Sequence, residues 1–311
     1  MRITLTMENS QTQLDLNNDQ EQISQLSQTI ASGVKFSSPS DDPYAWGQCM
    51  NVQQGVQEYK SIQSNLTFAT GWEQTTSSAL TQLSDLISQA KQVAISATSA
   101  TGTAESAAYA SEVNTIVQQV LNLANTQYGD QYIFAGSVTS KSPFSIDSST
   151  GVVTYDGDPN SISVRTDIAD GSSYNTSSIN VTGSDLFTYT SGGNTLNVLN
   201  QIWQLQQALE NGDSTAVTNS ITTLSDAFDH INDESAIVGA NLSELNTQKS
   251  AISVFQTNDQ SILSNLQDTN MAQATTQLQQ MQTAYQAALD VTNILDNVNL
   301  ASYLTGSGTT A

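Results

Sequence analysis

The chain is short of cysteine, histidine, proline and positive charge, and each shortage removes a class of protein. A single cysteine, Cys49, in 311 residues leaves no internal disulfide and no cysteine-based metal cluster. The one histidine, His230, lies between Phe228 and Ile231 on a helical pattern with no nucleophile beside it in the sequence. There is no His-Glu-x-x-His and no Gly-rich phosphate loop, so neither a metal, a cofactor nor catalysis is expected. Seven residues are basic (Arg2, Lys35, Lys60, Lys91, Lys141, Arg165 and Lys249), scattered against 29 acidic ones for a net charge of −22. Neutralising phosphates takes clustered Lys or Arg, which excludes nucleic acid and an anionic membrane as partners. No apolar run approaches the roughly 18 residues of a membrane span. The N-terminal Met1–Glu8 stretch lacks the apolar segment of a secretory signal. Composition alone therefore describes a soluble cytoplasmic chain whose acidity serves solubility.

Helix breakers are also scarce where they would matter. No proline follows Pro159, and Gly239 is the only glycine between residues 213 and 305. Over that stretch Val217, Ile221, Leu224, Phe228, Ile231, Ser235, Val238, Leu242, Leu245, Lys249 and Ile252 recur at alternating steps of four and three. This is the seam of a helix packed along another helix. With Asp213 or Ser214 as N-cap, the helix runs from about 214 to about 267 and is roughly 80 Å long at 1.5 Å per residue. Its stripe must be covered by the rest of the chain.

Residues 1–22 carry only a weak apolar pattern, and a helix is signalled from Ile23, Leu26, Ile30 and Val34 onward. Gly33 can end it in the left-handed conformation. In Phe36–Pro43, Asp42 and Pro43 read as N-cap and first residue of the next helix, and Asp41 as negative charge at its positive end. That helix is long. Val52, Val56, Tyr59, Ile62, Leu66 and Ala69 lead it, and Leu80, Leu83, Ile87, Ala90, Ala94 and Ala97 continue it. Gly55 and Gly71 weaken it by about 1 kcal/mol each. After a turn at Thr101–Thr103, a third helix shows Tyr109, Val113, Ile116, Val120 and Leu123 on one face.

From Gln131 to about Asn194 the period becomes two. Tyr132–Ala135, Phe144–Ile146, Val152–Tyr155 and the alternating Ile162, Val164, Thr166, Ile168 read as strands, with another at Ile179–Val181. Three consecutive runs suggest an antiparallel meander. Asp156, Asp158, Asn160 and Asp167 imitate an EF-hand spacing, but Ser161 replaces the obligatory glycine and the context is strand, so a turn is the reading. Helix resumes at Leu196, breaks at Asn211-Gly212, enters the long seam, and breaks again near Ser264–Ala272. A last amphipathic helix carries Leu278, Met281, Tyr285, Ala288, Leu295 and Val298.

Four stretches, in order along the chain, resemble the bacterial flagellin superfamily. They are Leu26–Pro43 with its Pro39-Ser-Asp41-Asp42-Pro43 ending, Leu121–Asn125 with Gly129–Gly136 and Lys141–Phe144, Val238–Leu245, and Leu266–Ala272 followed by a Gln-rich helix and Leu300–Leu304. Pro-Ser-Asp-Asp-Pro is similar to the superfamily's hook–filament junction members, whereas flagellin usually continues Asp-Asp-Ala-Ala-Gly. Phe36 after Lys35, Asp268-Thr-Asn-Met271 and the residues after Leu304 depart from the pattern.

The resemblance implies a mainly α, elongated flagellin-like helical bundle or coiled coil built from N- and C-terminal segments, with a small antiparallel β insert. It implies terminal helices at 1–43 and 268–304 that form an assembly coiled coil and are disordered in the monomer. A long-helix rod would occupy 44–136 and 195–267, an outer insert 137–194, and a mobile tail 305–311. Export through the flagellar type III apparatus, with a cytoplasmic chaperone, would replace a cleaved signal and place the chain outside the cell. There it would form a homo-oligomeric ring between hook-associated protein 1 and flagellin. Candidate interface residues are Ile23, Leu26, Ile30, Asp41, Asp42, Leu278, Met281, Tyr285, Leu295, Tyr303 and Leu304. A flagellin filament subunit and a type III secreted coiled-coil tip or adhesin remain alternatives. Some flagellins resemble metalloproteases through an inserted His-Glu-x-x-His, which is absent here.

Overall fold

The computed structural model describes residues 5–99, 102–147, 152–167, 176–179 and 181–306, with side chains at the C-terminal end as far as Ile294. The described helices are α1 (Leu5–Ser32), α2 (Pro43–Ala97), α3 (Thr103–Ala124), α4 (Gly183–Phe187), α5 (Val198–Asn211), α6 (Ser214–Gln267) and α7 (Met271–Gly306). The described strands are β1 (Gln127–Tyr128), β2 (Gln131–Tyr132), β3 (Phe144–Ile146), β4 (Val153–Tyr155), β5 (Ser163–Arg165), β6 (Thr176–Ser178), β7 (Thr188–Ser191) and β8 (Asn194–Asn197). The chain divides into two compact units, Met1–Gln57 with Thr257–Ala311, and Glu58–Gln256.

The long seam forms as its spacing dictates. Asp213 caps α6, its Oδ1 accepting from the amides of Thr215 and Ala216 at 3.0 Å each. Gly212, at φ +68°, ends α5 in the left-handed conformation that glycine adopts without a Cβ clash. Every seventh residue of α6 from Val217 (Leu224, Ile231, Val238, Leu245, Ile252) is buried, while Ile221, Phe228, Ser235, Leu242 and Lys249 are half-buried along the flank. Each fully buried Leu, Ile or Val contributes about 1.5–3 kcal/mol from burial.

The facing stripe on α2 is Ile62, Leu66, Ala69, Glu73, Thr76, Leu80, Leu83, Ile87, Ala90 and Ala94, none more than 3% exposed. It keeps steps of four and three throughout. The two helices run antiparallel: Tyr59 stacks on Phe255 at 6.1 Å, Asn241 Nδ2 donates to Glu73 Oε1 at 3.3 Å, Ser84 Oγ to Asn232 Oδ1 at 3.2 Å, and Lys91 Nζ to Ser225 Oγ at 2.9 Å. Helices α3 and α5 pack directly on each other and complete the core with Val113, Ile116, Val120, Ile202, Leu205 and Leu209. Gly71 has a packing role beyond weakening the helix, since a Cβ there would lie 2.3 Å from Tyr128 Oη.

The insert departs from a meander. It consists of separate antiparallel hairpins, β1–β2, β3–β4, β5–β6 and β7–β8. Tyr132 pairs with Gln127, but Ile133, Phe134 and Ala135 turn inward and are buried without continuing the strand. The reason β5 does not return along β4 lies at Gly136. It takes φ +70°, and a Cβ there would sit 1.8 Å from the Asp158 carbonyl oxygen. Against this bare backbone the 156–160 loop folds, with Asp158 N donating to Ala135 O at 3.0 Å. The Asp158 carboxylate accepts from Ser137 Oγ and the Asn160 amide at 2.6 Å each, and these bonds hold its pKa below the usual value. β5 then pairs with β6, tied to α2 by the Arg165–Glu58 ion pair and by Asn65 Nδ2 on Arg165 O at 3.2 Å. Ile168 lies outside the described residues.

Three boundaries also move. Leu196 belongs to β8, and α5 starts at Val198 with Asn197 as its cap. The short α4 and the β7–β8 hairpin follow the last strand expected from the sequence, in a stretch for which no separate element is expected. At the N-terminus α1 begins at Leu5, far ahead of Ile23. Apolar periodicity does not register these polar early turns.

Glu73 is the one charged side chain in the α2 stripe. Burial pushes its carboxyl up to about 7, partly opposed by the Asn241 bond, and its Oε2 has no hydrogen-bond partner. The folded chain holds this proton to about pH 7, while the unfolded chain releases it near the ordinary 4.5. The folded state thus binds more protons in that interval, and stability falls as pH rises through it. Glu73→Gln is expected to raise unfolding free energy above pH 7 by about 1–3 kcal/mol, with the gain vanishing below pH 4.5. Urea unfolding of both forms from pH 4 to 8 checks this; a pH-independent difference would contradict it.

Candidate functional site

In the unit made by both ends of the chain, α1 and α7 lie side by side and antiparallel. Leu16, Ile23, Leu26 and Ile30 on α1, interleaved with Thr12 and Asp19, are half-buried at steps of four and three. Facing them on α7 are buried Ala274 and half-buried Leu278, Met281, Tyr285, Ala288 and Thr292, at the same steps. One groove between the helices is lined by Leu26, Thr29, Gln277 and Met281, and the next by Gln20, Ile23, Thr283, Tyr285 and Gln286, which fixes the antiparallel sense. The structure thus brings together six of the sequence-chosen residues: Ile23, Leu26, Ile30, Leu278, Met281 and Tyr285. The side chains of Leu295, Tyr303 and Leu304 lie outside the described residues. None of the six is fully buried, unlike the α2–α6 stripe.

The two chain breaks, at 33–42 and 268–270, form one joint. Gly33 ends α1 at φ +74°, its amide returning to Thr29 O at 2.9 Å. The backbone then pairs across: Lys35 N donates to Gln267 O at 2.7 Å, and Thr269 N to Gly33 O at 2.9 Å, with Val34 bridged to Asp268. The Lys35 ammonium donates to Asn265 O at 2.8 Å and Leu266 O at 3.4 Å. It therefore satisfies the last carbonyls of α6 and places a cation at the negative end of a helix with no basic residue in its own last turn. Phe36 is buried beside Trp46, edge to face at 6.1 Å. On the other side Asn270 caps α7, its Oδ1 accepting from Gln273 N at 3.2 Å, and Ser264 Oγ bonds the Asp268 carboxylate.

The adjacent acids Asp41 and Asp42 do different work. Asp42 Oδ1 accepts from Ala45 N at 2.9 Å and caps α2. Asp41 was read as charge for the same helix, but its Oδ2 turns back and accepts from Ser37 N and Ser38 N at 3.0 Å each. It closes the loop, because a carboxylate three and four residues after two free amides meets them before it meets the helix axis. Lys35 was missed as a cap. The available signal was a lone basic residue two positions after a helix-ending glycine, but its target is distant in sequence.

The remaining reactive residues are engaged in packing. Cys49 is buried, and desolvation pushes its thiol pKa up against the opposing pull of the Lys35 ammonium. His230 Nε2 lies 2.9 Å from Asp185 O, and its ring stacks on Tyr189. Among the described residues no group of three His, Cys, Asp or Glu side chains could hold a metal ion, and no helix is long and apolar enough to cross a membrane.

Residues 3–139 match the bacterial flagellin N-terminal helical region. The chain is 31% identical over 171 residues to flagellar hook-associated protein 3 of Salmonella typhimurium, an alignment covering 54% of this chain and 53% of the relative. The chain thus spans about half the length of the curated relative it matches. Among solved structures it is similar to a flagellar hook-associated protein from Vibrio parahaemolyticus, with TM-score 0.64, 19% identity, and 73% of this chain and 100% of that chain covered. It is also similar to the flagellar junction protein FlgL from Legionella pneumophila, with TM-score 0.57, 14% identity, and 71% and 99% covered. These two likenesses concern the fold.

The division of labour at the joint is testable by amide hydrogen exchange. Asp41→Ala is expected to speed exchange at Ser37 and Ser38 roughly tenfold, for the loss of charge-assisted bonds, and to leave Ala45 unchanged. Asp42→Ala is expected to do the reverse. Equal effects of both substitutions at all three amides would contradict separate roles.

Proposed function

We propose, because residues 3–139 match the bacterial flagellin N-terminal helical region and the chain is similar to hook-associated protein 3, that it is a structural subunit of the flagellum, an adaptor at the junction between hook and filament. One observation carries the assembly role. Beside its half-covered seam toward α1, α7 bears a second apolar stripe, Ala284, Ala287, Val291 and Ile294, that is exposed, with Val291 at 55% and Ile294 at 62%. A helix with two apolar stripes packs against more than one neighbour, and a water-facing stripe of this kind marks an interaction surface.

In this reading the segments 1–43 and 268–304 form the assembly coiled coil. Their weak seam, interrupted by Thr12, Asp19 and Thr292, offsets the entropy of ordering only when neighbouring copies cover the second stripe. Segments 44–136 and 195–267 make the contacts around a ring, the insert 137–194 faces outward, and 305–311 is a tail. The partners are copies of itself, hook-associated protein 1 on one side and flagellin on the other. Export without a cleaved signal, through the flagellar type III apparatus and with a cytoplasmic chaperone, delivers the chain outside the cell. The role is structural and not enzymatic.

Val291→Gln with Ile294→Gln is expected to leave the unfolding midpoint of the purified chain unchanged and to abolish filament growth in cells carrying only the variant. Deleting residues 272–311 is expected to do the same while leaving the 58–256 unit folded. Normal filaments from either variant would overturn the proposal. Long filaments grown by the purified chain alone on seeding would point to a filament subunit instead.

A further inference from the structure

A heptad seam has a weakness built into its repeat. Sliding one helix by seven residues, about 10 Å, returns apolar positions to apolar positions. On α2 and α6 the stripe would tolerate this slide nearly everywhere: Leu66 would take the place of Glu73, and Val238 and Leu245 are equivalent neighbours on α6. Glu73 is the exception. It is fully buried, and its partner is Asn241, which reaches it across the seam at 3.3 Å. The other three cross-helix pairs each include an exposed or half-buried side chain on both helices, where water can replace them.

We propose that the Glu73–Asn241 hydrogen bond sets the register of α2 on α6, acting as the cross-seam bond to a fully buried side chain that excludes heptad slips. A lone polar residue at a coiled-coil core position specifies register in this way, at some loss of stability. A slip in one direction brings Glu73 opposite Glu234, acid against acid, with no amide to donate to it. A slip in the other brings it opposite Gln248, a longer side chain whose amide is held toward Glu244 at 3.0 Å with one N–H left, so it does not reproduce the Asn241 contact. In both cases Glu73 leaves Asn241 while its own side chain stays fully buried, and an unpaired buried polar group is strongly unfavourable. The pair thus contributes specificity where Leu at both positions would contribute stability.

The test reads register directly. In the full chain with Cys49→Ser, Gln92→Cys and Ser243→Cys carry spin labels. Both sites are exposed and displaced along the seam, so that a heptad slip changes their separation by about 10 Å. The unsubstituted seam is expected to give one narrow distance, and so is Glu73→Gln, which keeps an acceptor for Asn241. Glu73→Leu with Asn241→Leu is expected to melt at a higher temperature yet give a second distance shifted by about 10 Å. One narrow, unshifted distance in that double variant would overturn the proposal. If the double variant does not fold, Asn241→Ala is read the same way, a shifted component supporting the proposal and a single distance overturning it. A split distance in Glu73→Gln would place the constraint in the charge and overturn the hydrogen-bond account.

Discussion

The structure depends on one constraint: an apolar stripe on a long helix has to be covered by a second helix with a matching repeat. The chain meets it twice, each time by pairing an early segment with a late one. In the 58–256 unit the match is full. Buried positions on α2 and α6 recur every three or four residues, α3 and α5 close the core, and the polar exceptions are bonded across the seam or to their own helix. In the terminal unit the match is partial. Side chains on α1 and α7 meet at the same spacing but stay half-exposed, and α7 keeps a further stripe facing water. The contrast between a satisfied seam and an unsatisfied one is what the proposed assembly role rests on.

With seven basic residues in 311, positive charge is placed where it acts structurally. Lys35 caps the end of α6, Arg165 fastens the β5–β6 hairpin to Glu58, and Lys91 crosses from α2 to Ser225 on α6. Helix ends are otherwise managed by neutral or acidic groups: Asp42, Asp213, Asn197 and Asn270 at N-termini, and Gly33 and Gly212 at C-termini. Caps of this kind contribute about 1 kcal/mol each and decide where the helices start and stop.

The long helices were legible because their signals are local or periodic. The seam from Val217 to Ile252, the cap at Asp213 and the Asp42-Pro43 start could each be read from spacing and residue type. The insert was legible as short antiparallel strands, Phe144–Ile146 and Val153–Tyr155 among them, but the pairing of the others was not, since Gly136 under the Asp158 loop is a close approach between segments apart in sequence. Glu73 and Thr76 keep the phase of the stripe between Ala69 and Leu80, but polar side chains carry no apolar signal that would mark them as buried. Lys35 acts on carbonyls some 230 residues away, a pairing that no window on the sequence contains. Of the terminal helices, the seam-forming positions could be named from the repeat, but the exposed second stripe of α7 could be recognised only once the first was seen to face α1.

The central claim is that the α2–α6 seam is complete within one chain, whereas the α1–α7 seam is completed by neighbours. Amide hydrogen exchange on the free chain and on the chain within isolated flagella measures this directly. The account predicts slow exchange at Leu80–Ala94 and Leu224–Leu245 in both states. It predicts fast exchange at Leu16–Ile30 and Leu278–Thr292 in the free chain that becomes slow in the flagellum. Terminal amides already as protected in the free chain as those of α2 and α6 would contradict it.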